Sequence, residues 1–126
     1  MPETKGRQTP QRKAIQRVFF EASRPLTIQE VLDSARGYAP NIGIATIYRS
    51  VKRLTEDDWL RSVEMPGEGV RYERSELTHH HHFSCKECKL VFDIHSTLEN
   101  FSISLPKGFT LETHEIFLYG ICARCT

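Results

Sequence analysis

A chain of 126 residues has room for one ordinary domain or two very small ones, and neither half alone would bury much apolar surface. Its net charge of +1 hides an asymmetry: residues 1–55 hold ten Lys or Arg against four Asp or Glu, a charge of +6, so the rest carries −5. The longest apolar runs fall far short of the roughly 20 residues that cross a bilayer, and the polar opening resembles no secretory signal, which predicts a cytoplasmic protein without a membrane partner.

In chain order, Thr9-Pro10 offers an N-cap and a proline at the first helical position. The apolar residues that follow, at 14, 15, 18, 19 and 22, predict an amphipathic first helix. Thr27-Ile28-Gln29-Glu30 is a capping box that opens a second helix through Val31, Leu32 and Ala35, with Gly37 placed to end it. After a loop containing Pro40 and Gly43, residues 44–54 repeat apolar side chains at 44, 47, 51 and 54, so a third helix should bury that stripe. Thr46, Tyr48, Arg49, Lys52 and Arg53 lie on its other faces. Leu60 to Glu64, a Pro66-Gly67-Glu68-Gly69 turn and Val70 to Arg74 then read as a hairpin.

Three helices and a hairpin make a winged helix-turn-helix over residues 1–75, a unit that inserts its last helix into the major groove of double-stranded DNA. The basic front half agrees with a polyanionic partner. Beyond it, residues 76–126 change to a strand period at His79 to Cys85, Lys89 to Ile94 and Thr110 to Ile121. Ser96 to Leu105 reads as a short helix capped by Ser96, with Glu99 at its third position. The expected class is α+β: a winged helix followed by a small α/β domain.

Two Cys-x-x-Cys pairs, Cys85/Cys88 and Cys122/Cys125, use every cysteine of the chain. Each pair can grip one metal from a tight turn, and together they complete a tetrahedral four-thiolate shell, the signature of a structural zinc. Cytosolic thiols usually stay reduced, which argues against disulfides. Two pairs with no cysteine left over also fit a cage better than a dithiol enzyme.

Just ahead of Cys85 run four histidines, His79 to His82. On an extended strand successive side chains point to opposite faces, so His79 and His81 should look one way and His80 and His82 the other. One strand can thus feed two metal sites. His114 and Glu99 are the natural further ligands for His79 and His81, while Glu73 and Asp93 suit His80 and His82. Imidazole and carboxylate mixtures accept zinc, iron, nickel or manganese. The second set would connect the two halves of the chain, which makes it the better candidate for a switch.

At this point the chain resembles the ferric uptake regulator family of metal-responsive repressors over nearly all of its length. The resemblance is carried by Thr9-Pro10-Gln11-Arg12, by residues 43–49, by Arg71-Tyr72-Glu73, by the histidine run into Cys85 and Cys88, and by His114, Tyr119-Gly120, Cys122 and Cys125. It implies a homodimer whose C-terminal domain dimerises and which represses transcription at operator DNA when regulatory metal is bound. It also implies groove contacts by Tyr48 and Arg49 among the helix residues Thr46, Tyr48, Arg49 and Lys52, a phosphate contact by Arg12 and a minor-groove arm at Arg7. The four cysteines match the family's structural zinc; Glu73, His80, His82 and Asp93 match an inter-domain regulatory site; His79, His81, Glu99 and His114 match a site in the dimerisation domain.

Three positions depart from the family pattern. Arg24-Pro25-Leu26-Thr27 stands where iron- and peroxide-sensing members often contribute a histidine, and Pro25 cannot ligate a metal. His81 replaces a common aspartate, which makes the run similar to zinc-uptake regulators, and Lys89 stands where glycine usually follows the second cysteine. The expected regulatory ion is therefore Zn2+, with Fe2+ second and peroxide response third. A metalloenzyme and a zinc-buffering module are the rivals from other classes. The first lacks a spare positioned base and leaves the basic helices without a role, and the Tyr48-Arg49 helix decides for DNA over the second, so neither catalysis nor a small organic ligand is expected.

Overall fold

The computed structural model describes residues 9–75, 81–94, 104–112 and 114–126. Its elements are α1 (Pro10–Ala22), α2 (Ile28–Ala35), α3 (Ile44–Glu56), β1 (Leu60–Met65), β2 (Gly69–Arg74), β3 (His81–Cys85), β4 (Val91–Ile94) and β5 (Phe117–Gly120). They fall into two compact units, Met1–Leu77 and Thr78–Thr126, and the architecture is α+β.

In the first unit the helix starts are fixed by side-chain caps. Thr9 Oγ1 accepts from the Arg12 N–H at 3.0 Å, with Pro10 supplying a preset φ at the first turn. Thr27 and Glu30 form a reciprocal capping box, in which Glu30 N–H donates to Thr27 Oγ1 at 3.1 Å and Thr27 N–H to Glu30 Oε1 at 2.9 Å. Helix α2 ends at Ala35, and the C-cap Arg36 stays right-handed, so the chain turns before Gly37 without needing a glycine there. Helix α3 buries Ile47, Ser50, Val51 and Leu54. Ile44, expected in that stripe, is instead 45% exposed, because it opens the helix before the stripe meets the core.

The buried faces of the three helices meet around Ile15, Phe19, Val31, Ile47 and Leu54, closed below by Trp59 and Leu60. Trp59 packs edge-to-face with Phe19 and with Phe20, its ring centroid 6.4 and 5.9 Å from theirs. Strands β1 and β2 pair antiparallel from Leu60↔Arg74 to Met65↔Gly69. Leu26 adds a short third edge through a pair of 2.8 Å backbone bonds with Tyr72. The order helix, helix, helix, hairpin is that of a winged helix.

In the second unit β3 is central, antiparallel to β4 and parallel to β5. Gly120 permits a close approach: a Cβ there would lie 3.1 Å from the tip of the Phe83 ring, which would have to give by a few tenths of an ångström. The strand expected over 110–121 shortens to Phe117–Gly120, and that expected over 89–94 to Val91–Ile94, because each is strand only where it pairs with β3. Residues 96–103 of the expected helix lie outside the described residues, and Ser104 and Leu105 are not helical. Among the described residues, no helix is long and apolar enough to cross a membrane.

Candidate metal centres and nucleic-acid interface

Because α3 turns one stripe inward, its other residues face outward. Tyr48 is 56% exposed, and Arg49, Lys52 and Arg53 are exposed as well. Thr46, half-buried one turn before Arg49, accepts a 3.3 Å hydrogen bond from the Arg49 Nη2 group. Between this face and the hairpin lies a cleft of about 560 Å3 whose lining includes Tyr48, Arg49, Lys52, Glu64, Val70 and Tyr72. Arg12 sits in the first turn of α1, and Arg7 lies outside the described residues. The result is an open, cation-bearing helix face beside a hairpin, a shape suited to a groove edged with phosphates.

The four cysteines come together because β3 ends at Cys85 and β5, paired parallel to it, stops two residues short of Cys122. Lys86 N–H donates to the Gly120 carbonyl at 2.8 Å, fastening one Cys-x-x-Cys turn to the strand that leads into the other. All four Sγ atoms lie within 4.8 Å of one another, and Cys88 Sγ is 3.8 Å from Cys122 Sγ. A tetrahedral site with zinc–sulfur bonds of about 2.3 Å has edges of about 3.8 Å, so the donor set fits a four-thiolate ion. A disulfide needs about 2.05 Å, and the thiols are free.

Backbone amides aim at the sulfurs. Cys88 N–H reaches Cys85 Sγ at 3.5 Å and Cys122 N–H reaches it at 3.4 Å. The Cys88 amide, opposed by burial and helped by Cys122, lowers the Cys85 thiol from its ordinary 9.0 to about 6. Cys125 moves the other way, to about 12, through its hydrogen bond with the Cys122 sulfur and through burial. In a cage of this kind the thiols that remain protonated must release their protons to solvent as a metal takes their place.

The described histidines leave β3 on opposite faces, as alternation requires. His82 stands opposite Asp93 in the β3–β4 register, with Nε2 3.5 Å from Oδ1, and its ring stacks 6.4 Å from Phe117. His81 is buried, and its ring centroid lies 6.4 Å from that of the exposed His114. His79, His80 and Glu99 lie outside the described residues. Glu73, in the first unit, is 1% exposed, and its Oε1 accepts from Arg61 Nε at 3.0 Å.

That arginine was not anticipated. A hairpin centred on Gly67 puts residue 61 opposite residue 73, so the register carried the signal.

Comparison with known proteins adds to this geometry. Residues 3–119 match the family model described as the ferric uptake regulator family. The chain is 34% identical over 125 residues to the ferric uptake regulation protein of Bacillus subtilis (strain 168), covering 93% of this chain and 83% of that protein. Against the peroxide operon regulator of the same organism the identity is 25% over 130 residues, covering 100% and 88%. A solved structure described as a zinc-bound manganese uptake regulator superposes with a TM-score of 0.78 at 24% identity, covering 93% of this chain and 91% of that one, a likeness of fold. The winged helix, the sulfur cage beneath a histidine-bearing strand and these matches agree: the chain belongs to the ferric uptake regulator family of metal-responsive transcriptional regulators, which are not enzymes.

Proposed function

We propose that the chain is a zinc-responsive repressor that binds operator DNA as a homodimer, with residues 1–75 as the DNA-binding domain and 76–126 as the metal-binding dimerisation domain. Cys85, Cys88, Cys122 and Cys125 hold a structural zinc. Glu73, His80, His82 and Asp93 form the regulatory set, and His79, His81, Glu99 and His114 form a further set in the dimerisation domain. Tyr48 and Arg49, with Thr46 and Lys52 beside them, meet the major groove, while Arg12 and Arg7 meet the backbone and the minor groove.

The observation that carries this reading is the pairing of His82 with Asp93 at 3.5 Å, on the strand that ends in the sulfur cage. An imidazole and a carboxylate brought together in this way can share one divalent ion, for which both are suitable donors. A bound divalent ion would supply the directed bonds that tie β2, through Glu73, to β3 and β4. The chain's own part is to hold His82 and Asp93 in register and to present α3. Restricting the domains in this way would favour the spacing of successive major grooves, about 34 Å on B-DNA.

Zinc is preferred because two imidazoles and two carboxylates make a four-coordinate shell and Pro25 adds no further ligand. Iron is the second reading, favoured by the 34% identity to a ferric uptake regulation protein. The test uses DNA fragments selected by the unaltered chain. A His80→Ala, His82→Ala variant should bind them equally weakly with and without zinc. Zinc-dependent binding retained by that variant would remove the assignment of the switch.

A further inference from the structure

Arg61 meets Glu73 directly across the hairpin, and its pairing has consequences for the regulatory set. The two residues face each other in the β1–β2 register, and the ion pair closes through Nε at 3.0 Å. Their surroundings differ sharply: the Glu73 side chain is 1% exposed, whereas that of Arg61 is 39% exposed. A carboxylate taken out of water needs positive charge and hydrogen bonds to remain ionised. Arg61 supplies some of both.

We propose that Arg61 sets the metal threshold of the switch, its guanidinium holding the Glu73 carboxylate in the metal-free chain so that a divalent ion must take that carboxylate in competition with it. This rests on the reading of Glu73 as a ligand. The exchange is asymmetric for a physical reason. Arg61 can swing into water on a flexible stem and keep its charge solvated, while Glu73 stays fixed between its strand neighbours. Two cations also repel around one carboxylate, so an arginine that stays near weakens the ion's hold. Arg61 thus stabilises the metal-free hairpin and raises the metal concentration at which the switch is thrown.

The experiment uses the full chain with its four-cysteine site already filled with zinc. Zinc affinity of the regulatory set is measured by competition with a chromophoric chelator, and stability by unfolding with and without added zinc. Arg61→Met should bind zinc at least about tenfold more tightly. Before zinc is added it should unfold at lower denaturant concentration, and zinc should restore the loss. Arg61→Lys, which keeps the charge, should stay near the original on both readings. Arg61→Gln is a second neutral variant, so a folding defect in one leaves the comparison standing. Unchanged or weaker zinc binding in the neutral variants overturns the proposal, because that is the behaviour of an arginine that merely orients the ligand. Glu73→Gln is the separate check: zinc affinity unchanged there overturns the reading of Glu73 as a ligand, whatever Arg61 does.

Discussion

Lys89 shows how one residue can carry both a fold requirement and a cost. It follows Cys88 at φ 65, in the left-handed region where a Cβ crowds the following carbonyl and glycine does not. Its own N–H donates to the Cys85 carbonyl at 3.0 Å, closing the turn that presents the first two thiols. The preference for glycine after the second cysteine, a bare departure at the level of sequence, thereby acquires a steric cause. Lys89→Gly should raise stability by about 1 kcal/mol, measured by denaturant unfolding of the zinc-loaded chain. A neutral or destabilising result would mean that the Lys89 side chain makes compensating contacts.

Among the elements, α3 and β3 show what periodicity can and cannot reveal. The caps of α1 and α2 and the buried stripe at 47, 51 and 54 were readable because each rests on neighbours within four residues. The end of the stripe at Ile44 was not, since exposure there depends on where the helix meets the rest of the core. In β3 alternation separated His81 from His82, and Asp93 could be named as the partner of His82, but the short span of β5 depended on pairing with a strand over 30 residues away. The Arg61–Glu73 pair follows from the hairpin register, but local periodicity does not show it, because the two residues lie 12 positions apart and meet only once the turn is fixed. For α3 the consequence is direct: Arg49→Ala should weaken operator binding by about 1–3 kcal/mol and relax preference at one base position if its guanidinium reaches a base edge. Uniform weakening across all sequences would instead make it a phosphate contact.

At the scale of the whole molecule, the two units draw stability from different sources. The first has a continuous apolar core from Ile15 to Leu60. In the second, the fully buried described side chains include only Cys85 and Val91 among the apolar ones, so the strands that carry His81 and His82 lean on whatever joins the four sulfurs. Structural zinc contributes folding free energy directly. A strong chelator should therefore abolish hydrogen-exchange protection in β3, β4 and β5 while the amides of α1, α2 and α3 stay protected. Simultaneous loss in both units would show that the first unit depends on the second. Acid should act in the same direction as the chelator, because metal binding requires thiolates and protons compete for them. The amides that lower Cys85 to about 6 reach its sulfur only while the ends of β3 and β5 lie together, so this thiol gives up its proton as the strands close around the ion. Zinc uptake by the metal-free chain into the four-cysteine site should accordingly release the same number of protons per ion at pH 5 as at pH 7.5, and apparent affinity should fall as the pH drops. Proton release recorded in weakly buffered solution at the two pH values decides it. A count one lower at pH 7.5 would mean that Cys85 is already held as thiolate, and the ends of β3 and β5 already joined, before the ion arrives.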